Sequence, residues 1–250
     1  CEPQMTGIGG DLFTLVKPAG THEVFGLNAS GRAPAALDAD ALRADGATTV
    51  DGESADAVTV PGAVDGFFQL SEMFGSKGMA YCLAPSIHYA EAGVPVAPRT
   101  AFDWKLASHR LKGTARQDYL FAGKPPKVGQ TFRSPKQAAA LRLLAKGGRN
   151  AFYEGPVADD IIAALRSAGG CHTKADFVST RSDRTVPIST DYRGTEIVEH
   201  PPNGQGATAL LIANILSHCD VASLDPLGAE RAHLETEATK LGYDARNRVI

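Results

Sequence analysis

The first apolar positions of the chain predict a β-hairpin. Residues 7–16 pass from a glycine-rich turn into an apolar, β-prone run, and residues 23–27 form a second such run after a Pro-Ala-Gly turn. A third short run, residues 57–60, ends at Pro61-Gly62 and predicts another strand. Further strands are predicted at residues 186–188 and 195–198, with Tyr192 between them.

Most of the remaining apolar positions recur at helical spacing, and several of these stretches end on glycine, as helix C-termini often do. The predicted helices cover residues 64–74, 85–93, 134–145, 157–168, 207–216 and 228–243. Residues 111–130 are rich in Gly, Lys and Pro, which predicts an exposed crossing loop. Strands near both ends with helices between them indicate an α+β fold of sheet and helix layers, and the few strands suggest that more of the sheet lies in another segment.

Composition supports one soluble globular domain over residues 1–250, with 43% hydrophobic and 21% charged residues. A net charge of −3 leaves no positive excess for nucleic acid or an anionic membrane surface. No apolar run approaches the roughly 20 residues that cross a bilayer. We expect a cytoplasmic protein. The periplasm is the alternative, because the sequence starts at Cys1 and a secretory signal could have been removed.

Familiar catalytic and metal-binding patterns do not occur in the sequence. The four cysteines form no C-x-x-C pair and are expected to be ordinary, mostly buried thiols without disulfides. Neither G-x-S-x-G nor H-E-x-x-H is found. Leu12 stands where a dinucleotide turn needs its third glycine, and Cys171-His172 is interpreted as a loop position rather than a nucleophile pair. We therefore predict no metal and no cofactor.

A more informative residue is Arg32, which stands between Gly31 and Ala33-Pro34 directly after the hairpin. The planar guanidinium matches both oxygens of a carboxylate, so arginine is suited to hold a small acid. From composition alone, an ordinary surface arginine is the favoured interpretation.

Seven segments, in order and in spacing, resemble the γ-glutamyltranspeptidase family over nearly the whole chain. They are Gly7-Ile8-Gly9-Gly10-Asp11-Leu12-Phe13, Gly31-Arg32-Ala33-Pro34, Thr59-Val60-Pro61-Gly62-Ala63-Val64, Ala90-Glu91-Ala92-Gly93, Phe152-Tyr153-Glu154-Gly155, Tyr192-Arg193-Gly194 and Pro201-Pro202-Asn203-Gly204-Gln205-Gly206.

This resemblance implies an N-terminal-nucleophile hydrolase, a four-layer α/β/β/α sandwich made as a precursor that cuts itself into two subunits. The chain is similar to the large subunit, and the likeness stops in the last helix of that subunit. The partner implied is a small subunit from the same precursor, whose N-terminal threonine, beyond Ile250, is the nucleophile. No catalytic residue is then expected in this chain, and the other partner is a small-molecule substrate.

The resemblance also implies site residues. Arg32 matches the arginine that binds the substrate carboxylate, and Asp11 is expected in the site wall. Pro202, Asn203 and Gly204 match a turn that we expect mainly to stabilise the fold and only secondarily to line the site. Two departures, Asp11-Leu12 in place of glycines and Ala33 in place of a glutamate, resemble a divergent branch that includes oxamate amidohydrolase.

The leading hypothesis is the large subunit of a self-processing amidohydrolase or acyltransferase that acts on a small carboxylate-bearing acyl group. Within the family, an oxamate amidohydrolase or a cephalosporin-type acylase remains open. From another class, the alternative is a non-catalytic amino-acid-binding module that uses the same arginine.

Overall fold

The computed structural model describes residues 2–3 and 5–249, and this part of the chain contains seven strands and eleven α-helices. The strands are β1 (Leu12–Val16), β2 (Phe25–Ala29), β3 (Val94–Pro95), β4 (Thr131–Phe132), β5 (Asp183–Thr185), β6 (Ile188–Tyr192) and β7 (Thr195–Glu199). The helices are α1 (Ala39–Ala44), α2 (Ala63–Phe74), α3 (Met79–Ala92), α4 (Pro98–Ala107), α5 (Gly113–Tyr119), α6 (Pro135–Gly147), α7 (Asn150–Tyr153), α8 (Pro156–Ser167), α9 (Lys174–Ser179), α10 (Gly206–Ser217) and α11 (Ala229–Val249).

The chain divides into two compact units. The first consists of Cys1–Asp11 and Ser30–Arg181, and the second of Leu12–Ala29 and Ser182–Ile250. The single domain expected from the sequence stays a prediction.

The first unit is mostly helical and is built around one large apolar cluster. Helix α6 buries Ala138, Leu141 and Leu144, which recur every three residues on one face, and it contributes Leu141 and Leu144 to this cluster. The cluster comprises Val60, Val64, Leu141, Leu144, Phe152, Tyr153, Ala158, Ile162 and Phe177. A second cluster joins Val96, Ala101, Trp104 and Phe132, through which α4 packs near the short strand pair β3–β4. Burial of these side chains is the main force that holds the unit together.

The second unit contains the predicted hairpin. Strand β1 pairs antiparallel with β2, with Leu12 opposite Ala29, and β2 pairs antiparallel with β5 on its other side. Strands β6 and β7 form a separate antiparallel hairpin, against which α10 packs. Helix α10 also packs on α11 at Gly242, where a Cβ atom would lie 2.6 Å from Cγ1 of Ile212. The glycine therefore allows the two helices to approach closely.

Two local predictions are wrong. The strand expected at residues 57–60 is absent, since a 3₁₀ turn (Ala55–Ala57) is followed by irregular backbone. There Val60 buries its side chain in the core and donates its N–H to the carbonyl oxygen of Arg32, which is a single bond rather than a strand ladder. The loop expected at residues 111–130 contains α5, whose last residue, Tyr119, accepts a hydrogen bond from the indole of Trp104.

Several boundaries also differ from the predictions. Helix α3 begins six residues earlier than expected and contains Pro85 after its first turn, and α11 continues to Val249. Strand β5 was not predicted, and Val186 lies outside β6. The other predicted helices and the β1–β2 hairpin are confirmed within a few residues.

The thiols are more accessible than expected. Cys82 is exposed and Cys171 and Cys219 are half-buried, and all three are free, so the expectation of mostly buried thiols is wrong for them. Cys1 lies outside the described residues. His172, in contrast, is completely buried, and its Nε2 lies 2.8 Å from the carbonyl oxygen of Val58. That contact fits the interpretation of Cys171-His172 as a structural loop position.

Candidate functional site

The candidate site is built around Arg32 in the first unit. Its side chain is exposed, whereas its backbone is tightly held. The carbonyl oxygen of Arg32 accepts a hydrogen bond from the N–H of Val60 at 3.0 Å, and the N–H of the preceding Gly31 donates to Oδ1 of Asp11 at 2.8 Å. Fixing the backbone on both sides restricts the positions that the guanidinium can reach, which lowers the entropic cost of binding a ligand.

Only glycine fits at position 31. A Cβ atom there would lie 2.0 Å from the carbonyl oxygen of Val60 and 2.6 Å from Oγ1 of Thr59. The backbone of residues 59–60 therefore passes directly against Gly31, and this approach brings the N–H of Val60 to the carbonyl of Arg32.

The glycine turn before β1 joins the same arrangement. The carbonyl oxygen of Gly10 accepts a hydrogen bond at 2.9 Å from the N–H of Ala63, the first residue of α2. This bond satisfies one of the N–H groups that every helix leaves unpaired at its N-terminus. Since Asp11 follows Gly10 and binds Gly31, the two residues connect three segments that are far apart in sequence.

Beneath this arrangement lies Tyr153, which is completely buried. Its hydroxyl donates to the carbonyl of Pro61 at 2.8 Å and accepts from the N–H of Asp65 at 3.0 Å. Burial raises the pKa of Tyr153 to about 12, so the phenol stays protonated and able to donate at neutral pH. The buried carboxylate of Asp65 pairs with Arg149, whose guanidinium also lies over the Tyr153 ring, 4.3 Å from its centre.

On the other side of Arg32, the chain is held by Asp176 at the start of α9. Its Oδ1 accepts from the N–H of Ala35 at 2.9 Å, while its Oδ2 accepts from the N–H and hydroxyl of Thr173 in a capping box. Burial alone would raise the pKa of Asp176. The hydrogen bonds from Ala35 and Thr173, with the nearby His172, outweigh it and hold the pKa below its usual value.

Arg32 and Asp11, the two residues of the first unit that were predicted from the sequence, are thus brought together. Asp11 accepts a hydrogen bond from the N–H of Gly31, and Gly31 directly precedes Arg32. The predicted turn at Pro202, Asn203 and Gly204 belongs to the second unit, where Oδ1 of Asn203 accepts from Nδ2 of Asn28 at 2.9 Å. Its role beside a substrate stays a prediction.

Sequence reasoning missed the supports of the site. Tyr153 stands in one of the segments that resemble the family, but nothing local indicated its bond to Pro61, 92 positions away. Asp176 carried a usable signal, since Thr173-x-x-Asp176 matches a capping-box pattern and predicts a helix start. Its second bond, to Ala35, could not be found in this way.

The chemistry available in this arrangement is anion binding. A guanidinium on a fixed backbone can offer two parallel N–H groups to one carboxylate. Within residues 2–3 and 5–249, no cluster of three His, Cys, Asp or Glu side chains could hold a metal ion. In the same part of the chain, every helix is too short or too polar to span a bilayer.

Comparison with known proteins gives the family. The family model for Gamma-glutamyltranspeptidase matches residues 1–250. The glutathione hydrolase-like YwrD proenzyme of Bacillus subtilis (strain 168) is 34% identical over 250 residues, which are 99% of this chain and 47% of that protein. The oxamate amidohydrolase proenzyme of Klebsiella pneumoniae is 31% identical over 252 residues, which are 98% of this chain and 47% of that protein. The chain thus spans about half the length of these curated relatives.

Solved structures agree with the sequence comparison. The gamma-glutamyltranspeptidase of Helicobacter pylori superimposes with a TM-score of 0.89 at 25% identity, over 98% of this chain and 72% of that chain. A cephalosporin acylase from Bacillus halodurans superimposes with a TM-score of 0.86 at 39% identity, over 97% of this chain and 46% of that chain. The predicted fold class, the mixed helix and sheet of the N-terminal-nucleophile hydrolases, is confirmed. The predicted enzyme class is confirmed at the level of the family, since these relatives are named a hydrolase, an amidohydrolase, a transpeptidase and an acylase. The family model over the whole chain and the relatives above 30% identity show that the chain belongs to the gamma-glutamyltranspeptidase family.

Proposed function

We propose that this chain is the large subunit of a self-processing amidohydrolase or acyltransferase in which Arg32 binds the carboxylate of a small acyl group. The observation that carries the proposal is the exposed Arg32 side chain on a backbone held by Asp11, Val60 and Asp176. An ordinary surface arginine needs no such support. An arginine that must meet a small anion in one orientation does.

The names of the relatives support the same substrate class. Glutathione and oxamate, named in the two curated relatives, both carry carboxylates, and both proteins are named proenzymes. We propose that a small subunit from the same precursor supplies an N-terminal threonine. Its hydroxyl attacks the amide carbonyl, its α-amine takes the proton and passes it to the leaving amine, and water or another amine then releases the acyl group. The contribution of this chain is to bind and orient the acyl carboxylate.

Substitution of Arg32 in the full-length protein tests the role. We expect Arg32→Ala to raise the KM for a carboxylate-bearing amide by about 10- to 100-fold, the loss of one or two charge-assisted hydrogen bonds. Arg32→Lys should give an intermediate KM, because it keeps the charge and loses the planar pair of donors. The matched control is Arg43→Ala, which removes an exposed arginine paired with Asp40 in the same unit.

Self-processing is measured on the same variants by the appearance of two polypeptides. Normal processing with a raised KM supports the proposal. An unchanged KM would show that Arg32 does not bind the substrate. A neutral analogue, in which the acyl carboxylate is replaced by a carboxamide, should be affected much less by Arg32→Ala.

The non-catalytic alternative is separated by mass spectrometry of the mature protein. A second polypeptide that begins with threonine supports the enzyme, whereas a single polypeptide that binds an amino acid without cleaving amides supports the binding module. The acyl group can then be assigned by comparing oxamate, a γ-glutamyl amide and a cephalosporin-type amide, the last suggested by the 39% identity to the acylase.

A further inference from the structure

Asp11 stands beside the candidate substrate site, and its contacts suggest how it acts. Its Oδ1 accepts a hydrogen bond from the N–H of Gly31 at 2.8 Å, and that residue immediately precedes Arg32. This bond orients the peptide unit from which the Arg32 side chain departs. An exposed carboxylate that binds a backbone N–H in this way typically fixes a loop conformation.

The same peptide region has little freedom to move in other directions. Gly31 lies against the carbonyl of Val60, where even a Cβ atom would not fit, and the carbonyl of Arg32 is held by the N–H of Val60. Asp11 itself is anchored through its neighbour Gly10, whose carbonyl binds the first N–H of α2. The carboxylate therefore acts from a fixed position on one specific N–H group.

The negative charge of Asp11 has a separate effect on an anionic substrate, which opposes binding. A carboxylate next to the backbone of Arg32 reduces the positive potential that an anionic substrate meets there. If the role of Asp11 were electrostatic attraction of a carboxylate-bearing substrate, a negative side chain would be the wrong choice. The contact through which Asp11 can support the Arg32 loop is its hydrogen bond to Gly31.

From these contacts we propose that Asp11 is a positioning residue that sets carboxylate affinity through Gly31 and Arg32, without touching the substrate. This inference rests on the proposed function of Arg32. It differs from the expectation of direct wall contact that the family resemblance gave for Asp11.

The test uses two substitutions in the full-length protein. Asp11→Ala removes the acceptor, and we expect the KM for a carboxylate-bearing amide to rise about tenfold while kcat changes less than about twofold. Asp11→Asn keeps an oxygen for Gly31 and removes the charge, so its KM should fall by about two- to threefold. The matched control is Asp38→Ala, which removes another exposed aspartate that accepts from backbone N–H groups, at the start of α1.

A double-mutant cycle with Arg32→Ala gives the decisive result. If Asp11 acts through Arg32, Asp11→Ala should change the KM by less than about twofold in the Arg32→Ala background. A full, additive effect in that background would show direct contact with the substrate and overturn the proposal. An Asn variant whose KM rises as far as that of the Ala variant would overturn it as well.

The two proposals fail in different ways. Arg32→Ala with an unchanged KM contradicts the proposed function itself. Arg32→Ala with a raised KM and Asp11→Ala with a wild-type KM contradicts only the positioning role of Asp11.

Discussion

The hydroxyl of Tyr153 donates a hydrogen bond to the carbonyl oxygen of Pro61 at 2.8 Å, although 92 positions separate the two residues. Pro61 follows Val60, whose N–H holds the carbonyl of Arg32. The same hydroxyl accepts from the N–H of Asp65 in the first turn of α2. A buried phenol thus fixes the segment against which the Arg32 loop rests.

Tyr153→Phe should lower the free energy of unfolding by about 1–3 kcal/mol, because it leaves a buried carbonyl and a buried N–H without their partner. Urea denaturation of the full-length protein measures the change. Tyr81→Phe, at an exposed tyrosine, is the control and should change stability by less than about 0.5 kcal/mol. Equal stability of the Tyr153 and Tyr81 variants would contradict the structural role of the hydroxyl.

The raised pKa of Tyr153 also predicts a dependence on alkaline pH. Because the pKa is about 12 in the folded protein and 10 is its usual value, the neutral phenol contributes stability that is fully present below pH 10. That contribution is lost as the pH rises through about 12. Tyr153→Phe should therefore lose less stability than the wild type between these two pH values, measured by thermal unfolding at a series of pH values. Parallel curves for the two proteins would contradict the assignment.

Gly31→Ala should be strongly destabilising in spite of the small change in side chain. The new methyl group would lie 2.0 Å from the carbonyl oxygen of Val60, so the backbone must move and the bond from Val60 to Arg32 is strained or lost. We expect a cost of about 2–3 kcal/mol in urea denaturation, at the upper end of overpacking effects. Gly52→Ala is the matched control, because a Cβ atom at that position has no neighbour within 4 Å. A wild-type stability for Gly31→Ala would show that the loop adapts freely.

The lowered pKa of Asp176 predicts that stability falls at acidic pH, whereas the raised pKa of Tyr153 predicts a fall at alkaline pH. The pKa of Asp176 in the folded protein lies below the usual 3.8, so its charged form contributes stability above that value and the contribution is lost as the pH falls through the lower, folded pKa. Asp176→Asn should have a lower melting temperature than the wild type at neutral pH and a shallower decrease from about pH 4 to about pH 2. A steeper decrease in the Asp176 variant would contradict the sign of the pKa shift.

The sequence by itself determined the β1–β2 hairpin, the family, the candidate residue Arg32 and the six longest helices, which are α2, α3, α6, α8, α10 and α11. The shorter helices α1, α4, α5, α7 and α9 were not predicted. Apolar periodicity, turn residues and short motifs are local signals, and they identify elements such as β1, α2 and α6 because those elements bury a face that repeats along the chain.

Only the tertiary structure decided what holds Arg32 in place. Residues 57–60 have the composition of a strand, yet the N–H of Val60 binds the carbonyl of Arg32, and the strand does not form. Ala35 finds its partner in Asp176, 141 positions later. Such bonds join backbone groups that come together only when distant segments pack on a common core, so no local pattern in the sequence could specify them.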